Sequence, residues 1–238
     1  MAALSRRRLE GRIALITGAS RGIGAAVAMH FAREGAHLIL VARTSGDLEK
    51  VDDAVQAEGG TATLVPLDLI DYPAIDQMAV AIAERFGRLD VLVGNAAALG
   101  MLAPVGHWDP EVWAKAFALN VTANWRLIRA FDPLLRASDA GRAIFVTSGV
   151  ASQTIPYYGA YAASKAALNR MVETYAAEVT KTKLKVNLID PGIVRTAMRA
   201  EAFPGEDTAT LAPPESVTEA FVRLAEPGNQ THGKIVRA

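Results

Sequence analysis

The chain has 238 residues, 51% of them hydrophobic and 21% charged, and its 25 basic residues balance 25 acidic ones. That composition suits a folded globular protein with a full core and argues against disorder, and a net charge of zero removes any bulk pull toward nucleic acid or an anionic membrane. With no cysteine, disulfides, thiolate catalysis and cysteine-ligated metals are excluded; His30, His37, His107 and His232 lack ligand spacing, so no metal site is expected.

In chain order, Arg6-Arg7-Arg8 precedes no apolar run, and no stretch reaches the length of a membrane helix. Residues 1–10 read as a flexible tail and 11–238 as a single domain of a cytoplasmic protein. The apolar run Ile13 to Thr17 predicts a strand, and Ile23 to Glu34 a helix stopped by Gly35. His37 to Ala42 is a second strand, Asp47 to Glu58 a helix ended by Gly59-Gly60, and Thr61 to Pro66 a third strand. Pro73 to Phe86 is a helix with proline in its first turn. Val91 to Val93 is a fourth strand, and Glu111 to Arg136 a long helix that Pro133 should kink or weaken. Ala143 to Thr147 is a fifth strand, Tyr158 to Thr180 a helix, and Lys185 to Ile189 a sixth strand before the Pro191-Gly192 turn. Pro214 to Ala225 reads as a helix and Lys234 to Val236 as a short seventh strand. Strands alternating with crossover helices predict an α/β fold: a mostly parallel, doubly wound seven-stranded sheet of Rossmann type, with helices on both faces.

Between the first strand and its helix lies Thr17-Gly18-Ala19-Ser20-Arg21-Gly22-Ile23-Gly24. A glycine-rich turn entering a helix N-terminus offers free amides and a positive dipole end to a pyrophosphate, so Gly18, Ser20, Arg21, Gly22, Ile23 and Gly24 are cofactor-binding candidates. A carboxylate about 20 residues past the glycines would select NAD(H). The second strand ends instead in Ala42-Arg43-Thr44. Arg43, with Arg21 as a second cation, suits a 2′-phosphate and favours NADP(H) over NAD(H). Asp68 and the Leu69 backbone after the third strand can meet the adenine, or Asp68 can cap the next helix. Asn95, with Ala96, can line the cofactor or stabilise its own turn.

Tyr161 and Lys165 stand four apart, on one face of a helix. A cation beside a phenol favours the phenolate and brings the phenol toward a working acid–base range. Ser148, at the end of the fifth strand, can hold a substrate oxygen. Asn120 can bend the long helix and hold a water linking Lys165 to solvent. The wall formed by residues 98–105, 153–158 and 197–210 presents Leu99, Met101, Ile155, Tyr158, Met198 and Phe203, suited to a medium-sized, fairly apolar carbonyl or alcohol substrate.

These motifs resemble the classical short-chain dehydrogenases/reductases along nearly the whole chain. The Thr-Gly-x-x-x-Gly-x-Gly turn matches residues 17–24, Tyr-x-x-x-Lys matches Tyr161 and Lys165, and Ser148 and Asn120 fall where that family has its catalytic serine and helix asparagine. Pro191, Gly192, Ile193 and Thr196 match its Pro-Gly-x-x-x-Thr, which implies that Ile193 and Thr196 touch the nicotinamide carboxamide. Gly94-Asn95-Ala96-Ala97 departs from the family's Asn-Asn-Ala-Gly. The resemblance implies hydride transfer between nicotinamide and a ketone or secondary alcohol. Tyr161 handles the proton, Lys165 tunes it and binds the nicotinamide ribose, Ser148 orients the oxygen, and Asn120 completes a relay. It also implies a homodimer or homotetramer. An NAD(H)-preferring dehydrogenase and a non-catalytic NADP(H)-binding sensor or regulator stay open as alternatives.

Overall fold

The computed structural model describes residues 7–238. Seven strands, all parallel, form one sheet in the order β3-β2-β1-β4-β5-β6-β7. They are β1 (Ile13–Thr17), β2 (His37–Ala42), β3 (Thr61–Pro66), β4 (Val91–Gly94), β5 (Arg142–Val146), β6 (Lys185–Asp190) and β7 (Ile235–Arg237). The strands in the middle of the sheet are apolar runs because both of their faces are covered. Ala14 and Ile16 pack against α1 (Gly22–Arg33), α2 (Ser45–Ala57) and α8 (Thr218–Ala225), beside Val27, Phe31, Leu48 and Phe221. Ile13 and Leu15 face the opposite layer of α3 (Tyr72–Phe86), α5 (Ala123–Ala137) and α6 (Gly159–Glu178), beside Ile75, Phe131, Leu168 and Val172. Each such valine, leucine, isoleucine or phenylalanine side chain, once buried, contributes about 1.5–3 kcal/mol.

Strand order reverses between β1 and β4, so a crevice opens there at the carboxyl ends of the strands. Every candidate residue named above follows the end of a strand or lies on a helix packed beside one.

Two local features differ from the sequence expectation. The expected helix over 111–136 is α4 (Pro110–Phe117), one wide π-type turn over Ala118–Thr122, and then α5. Pro133 lies inside α5 without ending it: its ring is on the exposed face, and only the last turn follows. The break in the α-helical pattern is the turn around Asn120 instead. Only residues 7–10 of the expected tail lie within the described residues. There Leu9 is fully buried, and the Arg8 guanidinium pairs with Glu34 at 2.7 Å, Glu219 at 2.7 Å and Glu226 at 3.2 Å. Residues 1–6 lie outside the described residues. Among those described, no helix is long and apolar enough to cross a membrane.

Candidate active site

The turn from β1 into α1 is built around contacts that only glycine permits. Gly18 has φ +64°, and a Cβ on Gly24 would collide with the Gly18 carbonyl and sit 2.7 Å from Asn95 Nδ2. The α1 N-terminus has no side-chain cap and no acidic residue in its first turn. The N–H groups of Gly22, Ile23 and Gly24 therefore stay available to an anion, and the turn fits a pyrophosphate. Arg21 extends from the N-cap and is exposed; Ser20 is half-buried.

A second seam braces this turn. The Thr17 hydroxyl donates to Val93 O at 3.2 Å and accepts the N–H of Asn95 at 2.9 Å and of Ala96 at 3.1 Å. Asn95 Nδ2 donates to Thr17 O at 2.9 Å and Gly18 O at 3.3 Å. Asn95 thus holds the glycine turn with its side chain. Thr17, absent from the sequence candidates, is the hub of this stitch; its place before Gly18 was the available signal.

Arg43 follows β2, is exposed, and has no ion pair among the described residues; the same holds for Arg21. No carboxylate ends β2. Asp68 is exposed and accepts the Ile70 N–H at 3.0 Å, while the cap of α3 is Asp71, which accepts from Ala74 at 3.3 Å. Leu69 is buried. Past β6, Pro191 leads to Gly192, Ile193 is 61% exposed, and Thr196 caps α7 (Ala197–Ala202) by accepting the Arg199 N–H at 3.2 Å. A Cβ on Gly22 would lie 3.5 Å from the Thr196 methyl, so this loop stands over the glycine turn.

Ser148 leaves the end of β5, and Tyr161 and Lys165 lie in the first two turns of α6. Burial, helped by the Asp190 carboxylate and the Tyr158 phenol, pushes the Tyr161 phenol up to about 12; the Ser148 side chain pulls the other way. Burial lowers the Lys165 ammonium from 10.5 to about 8. Lys165 Nζ donates to Val146 O at 2.8 Å and stands 5.7 Å from the Tyr161 ring centroid. The expected lowering of the phenol by its lysine is therefore reversed: desolvation dominates both groups, and one N–H of the ammonium is engaged by a carbonyl. At neutral pH the phenol is protonated and can act as an acid.

Asn120 is fully buried in the wide turn. Its Oδ1 accepts the Ala98 N–H at 2.8 Å, and its Nδ2 donates to Ala98 O and Ser164 Oγ, both at 2.9 Å. Asn124 Nδ2 donates to the Asn120 carbonyl at 2.9 Å. The Asn120 side chain thus fixes the loop after β4 against α6. Asp190, which closes β6 beside the phenol, was also missed; a carboxylate just before Pro191-Gly192 was the signal.

The ensemble can bind an anion on main-chain amides and deliver a proton from a half-buried phenol to an oxygen held near Ser148. Comparison with known proteins places the chain in a family. The family model described as short chain dehydrogenase matches residues 12–207. The uncharacterized oxidoreductase YciK of Escherichia coli K12 is 41% identical over 91% of this chain and 86% of its own length. A Shigella flexneri 2a crystal structure assigned to the short chain dehydrogenases and complexed with NADP is 38% identical with a TM-score of 0.94, covering 98% of this chain and 99% of that one. An Escherichia coli CFT073 structure assigned likewise and complexed with NADPH is 38% identical with a TM-score of 0.92, covering 98% of each chain.

Proposed function

We propose that this chain, which belongs to the short-chain dehydrogenase family and is an oxidoreductase, uses NADP(H) to interconvert a ketone and a secondary alcohol. The observation that carries the reading is the placement of Ser148, Tyr161 and Lys165 together at the carboxyl edge of the sheet, next to the free amides of α1.

The cofactor, when bound, supplies or takes the hydride. The residues Gly18 to Gly24 hold its pyrophosphate on backbone N–H groups, and Asn95 and Ala96 wall the same crevice. Arg43 and Arg21 meet a 2′-phosphate, with no carboxylate at the end of β2 to oppose it. Two similar structures carry NADP and NADPH, which supports the same preference here. Pro191, Gly192, Ile193 and Thr196 form the cover at the nicotinamide end, and Asp68 with Leu69 the edge at the adenine end.

In reduction, Ser148 orients the substrate oxygen and the Tyr161 O–H gives it a proton. The raised phenol favours this direction at neutral pH, because its proton stays in place until needed. Lys165 binds the nicotinamide ribose and, as a cation beside Tyr161, steadies the phenolate left after proton transfer. Asn120 keeps the turn that aligns α6. Oxidation runs the same steps in reverse. The exposed indoles of Trp113 on α4, 38% exposed, and Trp125 on α5, 45% exposed, support a homodimer or homotetramer.

The test is a panel of ketones with NADPH and NADH, followed at the nicotinamide absorbance, beside a fluorescence titration of both cofactors. NADPH should bind at least tenfold more tightly and be oxidised by at least one medium-sized apolar ketone. Tighter binding of NADH contradicts the cofactor assignment, and binding without turnover of any carbonyl compound favours a sensor.

A further inference from the structure

The end of β6 places a carboxylate where the reaction does not use one. In the β5–β6 ladder Val146 pairs with Ile189, and the Thr147 N–H donates to Ile189 O at 2.8 Å. Continued one step, the register sets Asp190 level with Thr147 at the carboxyl edge of the sheet, with Ser148 one residue further on. Asp190 Oδ1 accepts the Gly192 N–H at 3.0 Å, which pins the carboxylate in the turn that opens Pro191-Gly192. Oδ2 accepts no hydrogen bond among the described residues, and the carboxylate has no cationic partner among them. Oδ2 faces Gly149, the residue after Ser148: a Cβ built there would lie 3.4 Å from Oδ2 and 3.5 Å from Gln153 Nε2. The bare α-carbon of Gly149 thus leaves a slot beside Ser148, with the free oxygen of Asp190 on one wall and the Gln153 amide on another. The charge of Asp190 also reaches the Tyr161 phenol, which it helps to hold up. Asp190 is part-exposed and its second oxygen is not sealed in, so it is open to a donor that enters the crevice.

We propose that Asp190 is a specificity-determining residue: its free oxygen selects substrates carrying a hydrogen-bond donor, a hydroxyl or an ammonium, close to the carbonyl that Tyr161 protonates, and it disfavours those carrying a carboxylate there. The inference rests on the roles assigned above to Ser148 and Tyr161. It narrows the substrate class to hydroxyketones or aminoketones and the corresponding vicinal diols or amino alcohols. The chemistry is unchanged: hydride goes to the carbonyl carbon, the Tyr161 proton goes to its oxygen, and the neighbouring donor group stays intact.

The test compares wild type with Asp190→Asn on four matched ketones with NADPH: acetophenone, 2-hydroxyacetophenone, 2-aminoacetophenone and benzoylformate. Asparagine keeps an oxygen for the Gly192 N–H but presents an N–H group to the slot. The wild-type preference in kcat/KM for the hydroxy or the amino compound over acetophenone should fall at least tenfold in the variant, and the ratio for benzoylformate should rise at least tenfold. The arm that falls further identifies the donor as hydroxyl or ammonium. Comparing each ratio between the two proteins cancels the intrinsic reactivity of the ketones. The melting temperature and NADPH affinity, measured on the same samples, should not move, as they would if Asp190 only held the turn. Should none of the four be turned over, saturation-transfer NMR of 2-hydroxyacetophenone with the NADP+-loaded proteins decides: weaker binding to the variant supports the assignment. Ratios unchanged by the substitution, or equal binding, overturn the role of Asp190 and leave the proposed function standing. Wild-type protein that binds no NADPH overturns both.

Discussion

Replacing Lys165 with methionine should make the protein more stable while removing its activity. Lys165 is 1% exposed, its ammonium meets only the Val146 carbonyl, and burial takes it from 10.5 to about 8. At 1.36 kcal/mol per tenfold change, holding that charge at pH 7 costs about 3 kcal/mol. A neutral isostere of similar length removes the cost but gives up one hydrogen bond worth about 1 kcal/mol. The variant should therefore gain about 2 kcal/mol at pH 7, or about 4–8 °C in Tm for a chain of this size. Because the folded value is depressed, between pH 8 and 10.5 the unfolded chain binds a proton at this lysine that the folded chain does not. Wild-type stability therefore rises with pH across that window relative to the variant. The gap between the two proteins should shrink by about 2 kcal/mol from pH 7 to pH 9.5. Urea unfolding of both cofactor-free proteins at the two pH values reads this directly, and the difference between them cancels groups that titrate equally in both. A variant less stable than wild type at pH 7, or a gap that ignores pH, refutes the reasoning.

Two substitutions probe the cofactor end. Arg43→Asp removes one charge-assisted contact of about 1.5–3 kcal/mol to the 2′-phosphate and sets a carboxylate at the end of β2, so the NADPH-to-NADH affinity ratio should fall about ten- to hundredfold by fluorescence titration. Gly24→Ala drives a methyl group into the Gly18 carbonyl and to 2.7 Å from Asn95 Nδ2. It should cost about 1–3 kcal/mol in denaturant unfolding and abolish NADPH binding; a variant that binds normally shows that the turn is looser than described.

The fold was legible because its signals are local. The strands over 13–17 and 37–42 have the expected bounds, since short apolar runs closed by glycine or polar turns are what a covered parallel strand requires. The glycine turn and the Tyr161–Lys165 spacing were equally plain, each being a pattern within one element. What escaped depends on contacts distant in sequence. Helical periodicity runs unbroken through residues 111–136; the wide turn at Asn120 is held by Ala98 and Ser164, 22 and 44 positions away. Proline was the better breaker on propensity grounds, yet Pro133 is harmless on an exposed face. Charge followed the same rule: a lysine one turn from a tyrosine suggests a lowered phenol, but desolvation of both groups, invisible in the spacing, raises one and lowers the other. Asp190 was passed over as a strand end because only the β5–β6 register sets it level with Thr147 and brings its carboxylate to Gly149, the residue after Ser148.

The central claim, that the Tyr161 hydroxyl is the acid serving a carbonyl reduced by NADPH, is tested most directly by Tyr161→Phe. The variant should bind NADPH within about twofold of wild type and lose about 10²–10⁴-fold in turnover of whichever ketone the wild type reduces. Turnover that survives the loss of one oxygen atom contradicts it.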